Sequence, residues 1–192
     1  MKTTRILIAF LFCSLVYSAY AQTITESDYY DVLNHIKIPD SKGKILLSSD
    51  PSLWENDTDA IFHNGFSVNA NKPDTIFTLA DKAYIRQQVK QAITTKWDNK
   101  NITWAKVIPH SDIHNVFTDS VTKGDKWELF EKKFHESEYY DYSVPVFSVD
   151  KNTCAIYVGH HCGWLCGDGD IYIFRKKNNK WVLISTIGLW VS

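Results

Sequence analysis

Two cysteines, two histidines, two aspartates, a tryptophan and four glycines crowd into the twelve residues Gly159-His160-His161-Cys162-Gly163-Trp164-Leu165-Cys166-Gly167-Asp168-Gly169-Asp170. Thiolates, imidazoles and carboxylates bind metals, exchange disulfides and move protons, so this stretch is where chemistry is sought first. In an oxidising compartment Cys162 and Cys166, with three residues between them, are expected to pair as a disulfide. A metal site would join the two thiolates to His160 or His161. Structural zinc sites, however, draw on a second, distant ligand pair, and adjacent histidines on a strand point to opposite faces. Thiol exchange fits less well still, because oxidoreductases keep two residues between their cysteines and place the nucleophile at a helix N-terminus. Asp168-Gly169-Asp170 matches part of a calcium loop, but the twelve-position pattern with its terminal Glu is missing. The expectation is therefore a disulfide with no metal and no cofactor. Trp164, His160, His161, Asp168 and Asp170 remain as candidate binding residues on a loop that its glycines allow to bend.

Other chemistry is thinner. His110, Asp112 and His114 alternate just after Pro109, and would place two imidazoles on one face if the segment were extended; a solvated loop is the expected setting. Glu136, Glu138 and Asp141 lie among Tyr139, Tyr140 and Tyr142 and read as a polar helix end. Cys154 shares a strand face with Ile156 and Val158, which marks it as a small buried hydrophobe. Serine-hydrolase, P-loop and dinucleotide fingerprints are missing.

These residues must be positioned by a chain of 192 residues. Residues 1–21 combine Lys2 and Arg5, an apolar run from Ile6 to Val16 and a terminal Ala19-Tyr20-Ala21, the pattern of a secretory signal peptide cleaved before Gln22. Cys13 lies inside the apolar run, which argues against a lipid-anchored form. Removing Lys2 and Arg5 from the 21 basic residues leaves 19 against 22 acidic ones, a net charge of −3. No basic patch points to nucleic acid, and no later run approaches the ~20 apolar residues of a transmembrane segment. Residues 22–192 suit a single domain.

Within that domain, Thr25 with Asp28 and Thr78 with Asp81 mark helix starts. Helices are expected after the Thr25 cap, through Tyr29, Val32, Leu33 and Ile36 and ended by Pro39, then from about Leu79 to Asp98, and from Asp125 to Glu136. Strands are expected over Lys44–Ser49 and Ile102–Ile108, with a long ordered surface segment over Pro51–Asp74. Four further strands follow, over Val144–Val149, Thr153–His160, Asp170–Arg175 and Lys180–Ile187. Short connections pair such strands as an antiparallel meander, so the fold class is α+β, with helices packed on one face of a C-terminal meander of about four strands.

The C-terminal half, with Tyr142-Ser143-Val144-Pro145-Val146-Phe147-Ser148, Cys154-Ala155-Ile156-Tyr157-Val158, Cys162-Gly163-Trp164-Leu165-Cys166-Gly167-Asp168-Gly169 and Lys180-Trp181, resembles a family of small exported Bacteroidetes proteins carrying a C-G-x-L-C-G loop. Trp54-Glu55-Asn56-Asp57 and the helix from Lys126-Trp127 to Phe134 extend the resemblance over most of residues 22–192. It implies an envelope or extracellular location, periplasmic or beyond, and no particular mechanism. In that setting Asp74-Thr75-Ile76 and Asp119-Ser120-Val121 resemble bacterial O-glycosylation sites. The resulting expectation is an exported non-catalytic binding or envelope-associated protein, whose partner is an envelope component or glycan. A hydrolase acting on such material and a metal-binding protein are the alternatives.

Overall fold

A computed structural model describes residues 23–36, 45–52, 61–62, 66–67, 76–91, 95–121 and 123–192. The expected signal peptide and most of the segment 51–74 lie outside the described residues. Four helices and eight strands are found among those described. The helices are α1 (Glu26–His35), α2 (Leu79–Gln91), α3 (His110–Thr118) and α4 (Lys126–Phe134). The strands are β1 (Ile45–Ser48), β2 (Phe66–Ser67), β3 (Ala105–Ile108), β4 (Tyr139–Tyr142), β5 (Val146–Phe147), β6 (Thr153–Gly163), β7 (Cys166–Lys177) and β8 (Lys180–Val191).

The helix starts follow their caps. Thr25 N and Oγ1 both donate to Asp28 Oδ2, at 2.7 and 2.9 Å. At α2 the exchange is reciprocal: Thr78 N donates to Asp81 Oδ2 and Asp81 N donates to Thr78 Oγ1. Each arrangement satisfies donors that the first helical turn leaves without partners. Asp125 caps α4 by accepting from the amides of Trp127 and Glu128.

The fold is mixed α/β. The expected meander is present as β5 to β8, but it is one part of a single sheet in the order β2-β8-β7-β6-β4-β1-β3, with β5 also paired to β6. β1 runs parallel to both β3 and β4, and the other pairs are antiparallel. Four strands was thus too few. β1 and β3 join through a parallel pairing whose register no local turn announces, and β4 occupies residues that read as a helix end. β4 and β5 lie one after the other along the same edge of β6. Pro145, which has no N–H to give a ladder, falls in the break between them. Ser143 bridges that break, its N–H donating to Tyr157 O and its Oγ accepting from Tyr157 N.

Helices cover both faces of the sheet rather than one. On the first face, Tyr30, Val32 and Leu33 of α1 pack with Leu47, Val107, Tyr142 and Ile156. On the second, Ile85 of α2 packs with Ala155, Ile171, Ile173 and Ile187, while Ile113 of α3 and Phe130 and Phe134 of α4 cover Leu46 and Ile108. β5, β6 and β7 are buried over much of their length, so their alternating residues need partners on both sides. α2 also ends sooner than the apolar stripe suggests. Trp97 lies beyond it, buried, with its N–H on Ser49 O and its indole Nε1 on Tyr142 O. Among the described residues no helix is long and apolar enough to cross a membrane.

Candidate functional site

The glycine-rich stretch is not a loop between strands. It is the far end of one long hairpin, paired from Thr153 with Arg175 to His161 with Gly167, and closed by the two-residue turn Trp164-Leu165. A register irregularity falls between His161 and Gly163, and Gly163 adopts φ +150°, a conformation that side chains resist. The Cys162–Cys166 disulfide closes this tip across a Cα separation of 5.1 Å. So short a ring removes little unfolded-state entropy, about 2 kcal/mol, and its main effect is to fix shape.

Strand pairing then distributes the candidate residues. Tyr140 lies opposite His160 and Tyr139 opposite His161, so the two imidazoles fall on opposite faces, each against a tyrosine. On one face His160 stacks on Tyr140 with ring centroids 4.6 Å apart. Its Nε2 is 2.9 Å from Glu138 Oε2 and its Nδ1 is 3.2 Å from Asp168 Oδ1. Both ring nitrogens donate at once only when the ring carries two protons. Asp170 sits beside this cluster, accepting from the Tyr172 hydroxyl at 3.2 Å. Burial and the neighbouring Asp168 charge raise its pKa despite that hydrogen bond. The phenols of Tyr140 and Tyr172 are pushed up by burial and by the carboxylates beside them, so both remain protonated donors.

The opposite face carries His161, stacked on Tyr139 at 4.6 Å and tilted against Trp190 at 5.7 Å. Burial, followed by the charges of Asp141 and Tyr157, pushes the Tyr139 phenol up to about 12. His161 Nε2 is 2.9 Å from Asp141 Oδ1, and Ser52 Oγ donates to Asp141 Oδ2. The order matters. A hydrolytic triad places imidazole between hydroxyl and carboxylate, whereas here the carboxylate stands in the middle, and among the described residues no imidazole accepts from Ser52.

Trp164 stands apart at the tip. The residue is 63% exposed, yet its indole N–H is fixed on Asp125 Oδ2 at 2.6 Å. That bond, aided by the α4 amides and opposed by slight desolvation, lowers the Asp125 pKa. The five candidates thus occupy three places: His160, Asp168 and Asp170 together on one face, His161 on the other, and Trp164 at the turn.

Elsewhere, the His110–His114 segment is helical rather than a loop. Its rings stack 6.2 Å apart on one side of α3, and His110 Nδ1 lies 3.3 Å from the buried Ser48 Oγ. Among the described residues no group of three or more His, Cys, Asp or Glu is arranged to hold a metal ion. Cys154 is fully buried, and burial raises its thiol pKa strongly, so it is unreactive. Ser120 is exposed just after α3, where Val121 N donates to Asp119 Oδ1.

Sequence reading missed Glu138, Tyr139, Tyr140, Asp141 and Trp190 as partners of the histidines. Tyr139-Tyr140-Asp141-Tyr142 carries a strand signal in its aromatic density. The pairing of those residues with a segment about twenty positions later has no local signature. The fold class is a mixed α/β domain whose stapled hairpin end gathers aromatic and acidic side chains. No family model, curated protein or solved structure gives a significant match to this chain.

Proposed function

We propose that this is an exported, non-catalytic binding protein, with the disulfide-closed end of the sheet as its ligand-facing region. The observation that carries the reading is that both histidines are committed to carboxylates and aromatic rings, while Ser52 Oγ donates directly to Asp141, so that among the described residues no imidazole is placed to take its proton. Such an end is held rigid, which suits recognition better than turnover. The disulfide and the leader-like first 21 residues support export. The resemblance to small exported Bacteroidetes proteins suggests an envelope component or glycan as partner.

The test uses the protein recovered from cells. Its N-terminus should be Gln22, and its mass should increase on alkylation at Cys162 and Cys166 only after reduction. Purified protein should sediment with isolated envelope polysaccharide without releasing reducing ends. Release that disappears in Asp141→Asn would establish a hydrolase instead.

A further inference from the structure

On the His161 face the sheet is stripped of side chains where two others lie down. Gly159 and Gly169 are direct cross-strand partners in β6 and β7. A Cβ at Gly159 would fall 2.2 Å from Asp141 Oδ1. One at Gly169 would fall 2.0 Å from Trp190 Nε1, and one at Gly167 would fall 3.2 Å from Trp190 Cζ3. The indole therefore lies along β7 in contact with its backbone, and its N–H is used by the Tyr157 hydroxyl at 3.1 Å. Trp190 is nonetheless 38% exposed, so the area it offers is the ring face turned away from the sheet. His161 and Tyr139 continue the row of rings across β6 and β4. Tyr139, at the far end of the row, packs against the cluster under α3 and α4, and Asp141 occupies the neighbouring position on β4.

We propose that the outer face of Trp190 forms a stacking platform for a neutral, β-linked, gluco-configured saccharide, with Asp141 accepting its hydroxyls. The assignment rests on the non-catalytic reading above and gives it a ligand. A pyranose with equatorial hydroxyls presents a flat face of axial C–H bonds, which matches an indole whose polar atom is already satisfied. Paired residues on adjacent strands are ~5 Å apart, about the width of one sugar ring, so a ring over Gly169 brings its edge to the carboxylate above Gly159. Asp141 has both oxygens oriented by His161 and Ser52 and keeps lone pairs for further donors. Its charge excludes acidic sugars.

Titration of the full exported chain with cellopentaose, followed by calorimetry and by the indole N–H resonances, tests this. Saturable binding is expected, with the Trp190 resonance shifting and with an oligogalacturonate of equal length failing to bind. Trp190→Ala should weaken binding about tenfold or more, and Asp141→Asn should weaken it severalfold. Trp190→Phe keeps a ring and should retain most of the affinity, which decides the matter if Trp190→Ala does not fold. Absence of saturable binding, or binding unaffected by Trp190→Ala and Asp141→Asn, overturns the assignment. If cellopentaose fails while the protein still sediments with envelope material uncleaved, only this ligand class falls. If reducing ends appear, the non-catalytic reading falls with it.

Discussion

Trp164 Nε1 donates to Asp125 Oδ2 at 2.6 Å, tying the turn of the β6–β7 hairpin to the N-cap of α4 across 39 residues. One carboxylate thus serves a helix and a hairpin at once. Asp125→Ala removes both contacts and should lower the urea midpoint more than Trp164→Phe, which removes only the second. The double variant should be no worse than Asp125→Ala alone, because the two positions share one interaction.

Reduction of Cys162–Cys166 should leave the sheet intact and cost about 2 kcal/mol of stability. Amide exchange is the readout. The amides of the tip should lose protection, while those of Ile156, Val158, Ile171 and Ile173, buried in the body of the sheet, keep theirs.

Gly169→Ala should displace the Trp190 indole, because the new methyl would stand 2.0 Å from its nitrogen. The expected signature is a change in near-ultraviolet circular dichroism with a loss of about 1–3 kcal/mol, the usual cost of overpacking. Gly124→Ala meets no atom within 4 Å and is strained only by its φ of +126°. It should leave the aromatic signal unchanged.

Acid should release α1 from the β5–β6 turn. Burial raises the Asp28 pKa, but the 2.9 Å contact to Lys151 and the Thr25 donors outweigh it, so the folded value lies below the usual 3.8. A carboxyl depressed on folding contributes fully above its unfolded pKa and loses that contribution as pH falls through the folded value. Asp28→Asn should therefore be less stable than the wild type by a constant amount, about 1 kcal/mol, from pH 5 to 8. The gap should narrow below about pH 4. A gap that is unchanged down to about pH 2 would show that the Lys151 and Thr25 contacts together do not depress the Asp28 pKa.

Three of the four helices and the meander were legible in the sequence for physical reasons, whereas α3 was expected to be a loop. Thr25, Thr78 and Asp125 announce helix starts because a cap is a local hydrogen bond, and β6 to β8 alternate because both sides of each strand meet different partners. The parallel pairing of Ile45–Ser48 with Ala105–Ile108 was not legible, since four residues carry no register of their own. At the candidate site, pattern alone sent His160 and His161 to opposite faces, and the disulfide was expected from spacing together with an expected oxidising compartment. What misled was glycine. Gly159, Gly167 and Gly169 look like loop residues, yet they are strand positions vacated for Asp141 and Trp190. The pairing of Glu138 with His160 spans 22 residues and depends on register that only the folded sheet supplies.

The burial of Cys154 bears on how the chain acquires its covalent form. Three cysteines after residue 21 permit three different pairings, and only one is native. Disulfides interchange through attack by a thiolate with access to the bond. Once β6 is seated between its neighbours, Cys154 is both protonated and sealed, so the two wrong isomers are no longer reachable. Packing of the sheet thus acts as a ratchet on oxidation: a mispaired chain can still correct itself while Cys154 is open, and a correctly paired one cannot revert.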